Sequence, residues 1–123
     1  QIAGAIAGVM LANYMFGIEP VNFSEKTRSG TNLFVSEIFA TFGLLLVILL
    51  STKEKVAAGV AAYIGGAYWF TSSTSFANPA GTIGRAFSDT FAGISPDDVL
   101  AFCCAQVAGA FLAFLLYKKV FSK

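Results

Sequence analysis

The polar run Ser72-Ser73-Thr74-Ser75-Phe76-Ala77-Asn78-Pro79-Ala80-Gly81-Thr82 holds the side chains best placed to act on another molecule. Its chemistry is hydrogen bonding. Asn78 can cap a helix or donate its amide to an oxygen, and Pro79 at the first helical position gives up an N–H that would have no partner there. Glu37 is the one acidic residue well inside an apolar segment, with Thr41 one turn further on. A buried carboxylate needs hydrogen-bond donors. The alternative is a Glu set near a positive helix N-terminus. Glu37 has no His or Cys beside it, and the chain has no His at all. An acid–base pair or a metal centre therefore lacks its residues, and neither an enzyme nor a cofactor or metal is expected. Cys103 and Cys104 are adjacent in an apolar stretch. Neighbouring helical side chains point in different directions, so they read as two buried small hydrophobes.

The elements that must position these residues are apolar. Hydrophobic residues make up 56% of the 123, mean hydropathy is +0.71 and only 12% are charged, against about 25% in soluble domains. This is the composition of a membrane protein. A net charge of +1 is too small to imply a nucleic-acid partner. The sequence opens on Gln1 with no signal peptide before it, and reads as a portion of a longer chain.

Residues 1–17 form an expected helix, with Gly4 and Gly8 four apart and Ala3 and Ala7 beside them, a surface that admits close helix approach. Ile18 to Thr31 collects Glu19, Pro20, Glu25, Lys26 and Arg28 and reads as an aqueous loop. Residues 33–50 are long enough to span a bilayer. Ser51 to Lys55 close that helix on a lysine-bearing face. Residues 56–71 form the next helix, with Ala58, Ala62 and Gly66 as a packing stripe and Tyr68 and Trp69 as an interfacial aromatic pair. From Asn78 a half-helix over 78–92 is expected, too short to cross. Ser95-Pro96-Asp97-Asp98 then starts a helix over 97–117, followed by Lys118, Lys119 and Lys123. If Lys53 and Lys55 are cytoplasmic, two crossings bring the C-terminal lysines to the same face. The loops 18–31 and 72–95 then share the outer face.

Gln1-Ile2-Ala3-Gly4-Ala5 matches Gln106-Val107-Ala108-Gly109-Ala110 almost residue for residue, in helices running in opposite directions. Weak internal symmetry with inverted topology marks channels and transporters built from two related halves. With Asn-Pro-Ala at the start of a half-helix, four spanning helices and this repeat, the whole chain resembles the major intrinsic proteins, the aquaporin and glycerol-facilitator family, from their third helix to the C-terminus. The fold that follows is an all-α integral membrane, aquaporin-like inverted-repeat channel, with residues 1–123 forming the C-terminal portion of a single domain.

The resemblance implies passive conduction. It assigns Asn78, Pro79 and Ala80 to the pore motif, and Glu37, with Thr41, to hydrogen bonding the backbone of the re-entrant loop. The half-helix would present unpaired N–H groups and the positive end of its dipole, repelling cations. The carbonyls of Ser73, Thr74, Ser75 and Phe76 would replace hydrogen bonds that a solute loses with water. Three of the family's four outer-mouth positions fall on Gly66, Ser75 and Gly81. The family usually has Arg where Gly81 stands, so a wide mouth is implied and strict water selectivity is put in doubt. A bacterial subgroup with members linked to arsenic resistance also lacks that Arg, and Ser-Phe-Ala-Asn-Pro-Ala followed by Thr-Ile is similar to it. Arg85, one turn beyond Gly81, either reaches back towards the mouth or pairs with Asp89 at i,i+4 to fasten the half-helix.

The implied function is a channel for small uncharged solutes: water, glycerol-like polyols, urea and neutral metalloid hydroxides such as arsenous acid. The portion itself is expected not to conduct. Its implied partners are the lipid membrane and, in the complete protein, a homotetramer, in a bacterial inner membrane with a cytoplasmic C-terminus. A water-selective aquaporin and a non-conducting structural subunit of a membrane complex are the alternatives.

Overall fold

The computed structural model describes residues 1–121, so Lys123, expected beside Lys118 and Lys119, lies outside the described residues. Among the described residues five helices follow in order: α1 Ile2–Met15, α2 Thr31–Leu50, α3 Val56–Phe70, α4 Pro79–Arg85 and α5 Pro96–Val120. No strand occurs among the described residues. Two helices, Thr31–Leu50 and Pro96–Val120, are long and apolar enough to cross a membrane; Ile2–Met15 and Val56–Phe70 are apolar but shorter. Only 17% of the spanning window in α2 and 28% of that in α5 is buried, unlike the core helix of a soluble protein. Leu100, Val107, Phe39 and Phe111 are each at least 60% exposed. Burial is correspondingly inverted, with eleven polar or charged residues buried beside ten hydrophobic ones among the described residues.

The chain divides into two compact units, one of Gln1–Ser29 with Asn78–Cys103 and one of Gly30–Ala77 with the chain from Cys104 onward. In the first, α1 packs on α4. The two helices come close at Gly84, where an added Cβ would stand 3.0 Å from the backbone and Cβ of Ala5. The expected packing glycines of α1 are not the ones used: Gly4 and Gly8 have nothing within 4 Å of where a Cβ would sit. In the second unit, α2 packs on α3. Here too the expected stripe is displaced. Ala58, Ala62 and Gly66 are exposed, and the inward face is Gly59, Tyr63 and Ala67, with the Tyr63 hydroxyl donating to the Ala40 carbonyl at 3.0 Å. Tyr63 occupies the notch left by Gly43, so a small residue on α2 decides which face of α3 turns inward.

The half-helix is shorter than the expected 78–92. It ends at Arg85, because Ala86 and Phe87 turn away and their carbonyls take donors from residues 22–24 instead of from a further helical turn. The last helix starts one residue early, at Pro96, with Asp97 and Asp98 in its positive first turn. Cys103 is half-buried and Cys104 exposed. The expectation that both cysteines are buried therefore fails for Cys104, whose position on α5 is rotated away from its neighbour's.

Candidate functional site

A buried loop must find a partner for each backbone N–H that water does not reach. In the second unit the segment before Asn78 solves this with side chains. Ser73 N–H donates to Ser36 Oγ at 3.2 Å. Thr74 N–H donates to the Thr71 carbonyl at 3.3 Å, and Ser75 N–H to Ser73 Oγ at 3.4 Å. Glu37, fully buried on α2, accepts from Phe76 N–H at 3.3 Å and from Ala77 N–H through its other oxygen. That second oxygen also takes Gln106 Nε2–H at 2.9 Å. Three donors converge on one carboxylate, which gives this buried polar group the hydrogen-bond partners its burial requires.

The turn so held is strained. Thr74, Ser75 and Ala77 have φ of 62°, 51° and 49°, a left-handed region that non-glycine residues rarely occupy. Ser73, Ser75 and Phe76 are buried and Thr74 is half-buried. Ser75 Oγ and Thr41 Oγ1 have no hydrogen-bond partner among the described residues. Thr41 thus lies beside Glu37 on α2 without bonding the loop. Gly66 is exposed on α3, and a Cβ there would touch only the Phe70 ring, at 3.6 Å.

In the first unit Asn78 is the N-cap of α4. Its backbone is extended, with φ −155° and ψ 117°, and its Oδ1 accepts from Ala80 N–H at 2.8 Å and Gly81 N–H at 3.1 Å. The N–H groups expected to stand unpaired at this helix start are therefore already taken. The cap directs Oδ1 to the backbone and leaves the Nδ2 amide as the outward donor. Thr82 locks the turn, its hydroxyl reaching the Asn78 carbonyl at 2.8 Å. Asn78 and Pro79 are exposed and line, with Gln1, Ile2, Ala3 and Ala80, an open cleft of about 520 Å³. Gly81 has room for a side chain, since a Cβ would meet only Asn78 Cβ at 3.8 Å.

Arg85 is the last residue of α4 and borders a separate, largely apolar cavity of about 390 Å³ with Val9, Ala12, Asn13 and Phe16. Asp89 lies beyond the end of this helix. Its carboxylate accepts from Glu25 N–H at 3.0 Å.

Sequence reasoning missed Asn13, Arg28 and Gln106. Buried Asn13 donates to the carbonyls of Pro20, at 3.1 Å, and Phe87, at 2.9 Å, and accepts from Ser88 Oγ at 2.8 Å. A lone Asn in an otherwise apolar helix was the available signal, since such a residue is expensive in a membrane without partners.

No family model matches the chain, and no solved structure matches it. Among curated proteins, aquaglyceroporin AqpS of Rhizobium meliloti (strain 1021) is 46% identical over 121 residues, covering 96% of this chain and 52% of AqpS. The chain spans about half the length of the curated relative it matches.

Proposed function

The chain belongs to the major intrinsic protein family, and on that premise we propose that it forms part of the wall of a passive transmembrane channel for small uncharged solutes. Water, glycerol-like polyols, urea and neutral metalloid hydroxides such as arsenous acid are the solutes proposed. The observation that carries this reading is the exposed Asn78 cap, whose Oδ1 is committed to the first amides of α4. That arrangement leaves one amide donor facing an open cleft whose other lining includes Ile2, Ala3, Pro79 and Ala80, which suits a solute that must exchange hydrogen bonds and move on.

The proposed mouth residues are Gly66, Ser75 and Gly81, with Asn78 on the path. Two of these are glycines, and the space at Gly81 favours solutes larger than water. Loop carbonyls of residues 73–76 are the proposed acceptors. In this reading four helices span, the two shorter ones with help from their flanks, and α4 is re-entrant within an inverted-repeat domain. The complete protein is multi-pass, homotetrameric and set in a bacterial inner membrane with its C-terminus in the cytoplasm. Residues 1–123 alone should not conduct, since the remaining wall is needed to enclose a path.

The test is stopped-flow light scattering on proteoliposomes holding the complete protein, in gradients of glycerol, urea and arsenous acid. Re-swelling faster than in empty vesicles supports the reading. Gly81→Arg, which fills the space beside Asn78, should then slow glycerol re-swelling by about tenfold while sparing water, the scale on which a pocket separates solutes differing by a methylene or more. Accelerated shrinkage without faster re-swelling in the unmodified protein would identify a water-selective channel instead.

A further inference from the structure

Helix ends leave up to four carbonyls without helical partners, and a seven-residue helix has few to spare. At the end of α4 and just beyond it, every carbonyl from Gly84 to Phe87 nevertheless has a donor. Gly84 takes Phe87 N–H at 3.1 Å, Arg85 takes Ser88 N–H at 3.3 Å and Ile94 N–H at 3.4 Å, and Ala86 takes Ser24 N–H at 2.9 Å. Phe87 takes Asn22 N–H at 3.4 Å and Asn13 Nδ2–H at 2.9 Å. The loop between α1 and α2 thus closes the C-terminal end of α4.

Arg28 is the most deeply engaged of the charged side chains that fasten that loop. Arg28 is only 6% exposed. Its Nε donates to the Gly93 carbonyl at 2.7 Å and its Nη2 to the Phe91 carbonyl at 2.9 Å. Its backbone N–H reaches Asp98 Oδ2 on α5 at 2.7 Å. Beside it, Ser95 N–H donates to the Lys26 carbonyl at 2.7 Å, and Lys26 Nζ lies 4.1 Å from the Phe91 ring centroid. Burying a guanidinium in a loop that could have left it in water is costly unless its donors are used. Here the planar fork joins two carbonyls two residues apart, which a lysine ammonium cannot match in geometry.

We propose that Arg28 is a positioning residue for the conducting path. By clamping residues 91–93 it holds 22–28 in place as the cap of α4. The rigid half-helix then carries that constraint to Asn78 and Gly81 at its other end. Seven residues span only about 10 Å, so a tilt at the capped end displaces the amide and the mouth glycine directly. The proposal rests on the channel reading above.

Arg28→Met and Arg28→Lys in the complete protein test it with two readouts. Hydrogen–deuterium exchange of residues 22–28 and 82–94 reports the clamp, and the ratio of glycerol to water permeability in proteoliposomes reports the aperture, independent of how many channels are folded. Both variants should raise exchange in these segments by about tenfold, and raise the permeability ratio by about threefold, below what a whole methylene of fit commands. Unchanged exchange in either variant overturns the clamp. Raised exchange with an unchanged ratio overturns positioning and leaves a structural role only. If Arg28→Met does not fold, Arg28→Lys decides, and wild-type values from it on both readouts overturn the proposal. An unmodified protein that passes no solute defeats the channel reading and with it the path that Arg28 would position, while exchange still reports separately whether the clamp exists.

Discussion

Glu37 is the residue on which the strained loop depends most. It receives Phe76 N–H, Ala77 N–H and Gln106 Nε2–H while wholly buried. Removing it strands three donors where water cannot replace it, and each orphaned buried group costs about 1–3 kcal/mol. Gln in its place keeps one acceptor but sets a second amide N–H₂ against Gln106. Gln106→Leu removes one donor and leaves the carboxylate its two backbone partners. Thermal denaturation in detergent should therefore rank Glu37→Ala as the most damaging, Glu37→Gln next and Gln106→Leu least, with the last costing about 1 kcal/mol. A Gln106→Leu loss equal to that of Glu37→Ala would mean the side-chain pair, rather than the loop amides, is what Glu37 serves. The Asn78 cap and the Asn78–Pro79 helix start were legible in the sequence because their partners lie within three residues. Gln106, Asn13 and Arg28 were not, because their partners stand 69, 74 and 65 residues away.

Among the elements, helix positions followed from hydropathy, but helix faces did not. An all-round apolar helix has no stripe that names its inward side, so small-residue spacing on α1 and α3 offered several candidates and the notch that receives Tyr63 chose between those on α3. The end of α4 was equally hidden, since residues 22–24 stop it from a distance. Close approaches on α2 separate two kinds of glycine. A Cβ on Gly109 would lie 2.3 Å from the Ile38 carbonyl oxygen and 3.1 Å from Phe42 N, both backbone atoms of α2. A Cβ on Gly43 would lie 2.1 Å from the Tyr63 hydroxyl, the far end of a side chain. Gly109→Ala must push helices apart, an overpacking cost of about 1–3 kcal/mol, whereas Gly43→Ala can expel Tyr63 and forfeit its bond to Ala40, about 1 kcal/mol. Denaturation midpoints should fall further for Gly109→Ala. Equal losses would show that Tyr63 cannot leave its notch.

At the scale of the whole molecule, the inverted burial pattern and the distribution of charge fit a chain that lies in a membrane. Apolar side chains dominate the exposed faces of α2 and α5, while the buried groups include Glu37, Gln106, Asn13 and Arg28. The class was legible from composition alone, but the number of crossings was not, because α1 and α3, of 14 and 15 residues, span only about 22 Å at 1.5 Å per residue, short of a hydrocarbon core about 30 Å thick. Charge supplies the missing constraint. Lys53 and Lys55 flank the turn between α2 and α3, and Lys118 and Lys119 occupy the last turn of α5. Lysines gather on the cytoplasmic side, which predicts both turns on that face and the loops 16–30 and 71–95 opposite. Single cysteines introduced at exposed Ser29, Asp97, Lys55 or Lys119 in the complete protein, with Cys103 and Cys104 replaced by Ala, test this with a membrane-impermeant maleimide on intact cells. Labelling at Ser29 and Asp97, with Lys55 and Lys119 reached only after the membrane is opened, is the expected result. Labelling at Lys55 in intact cells would mean that α2 and α3 do not both cross, and would remove the geometry in which α4 enters from the outer face.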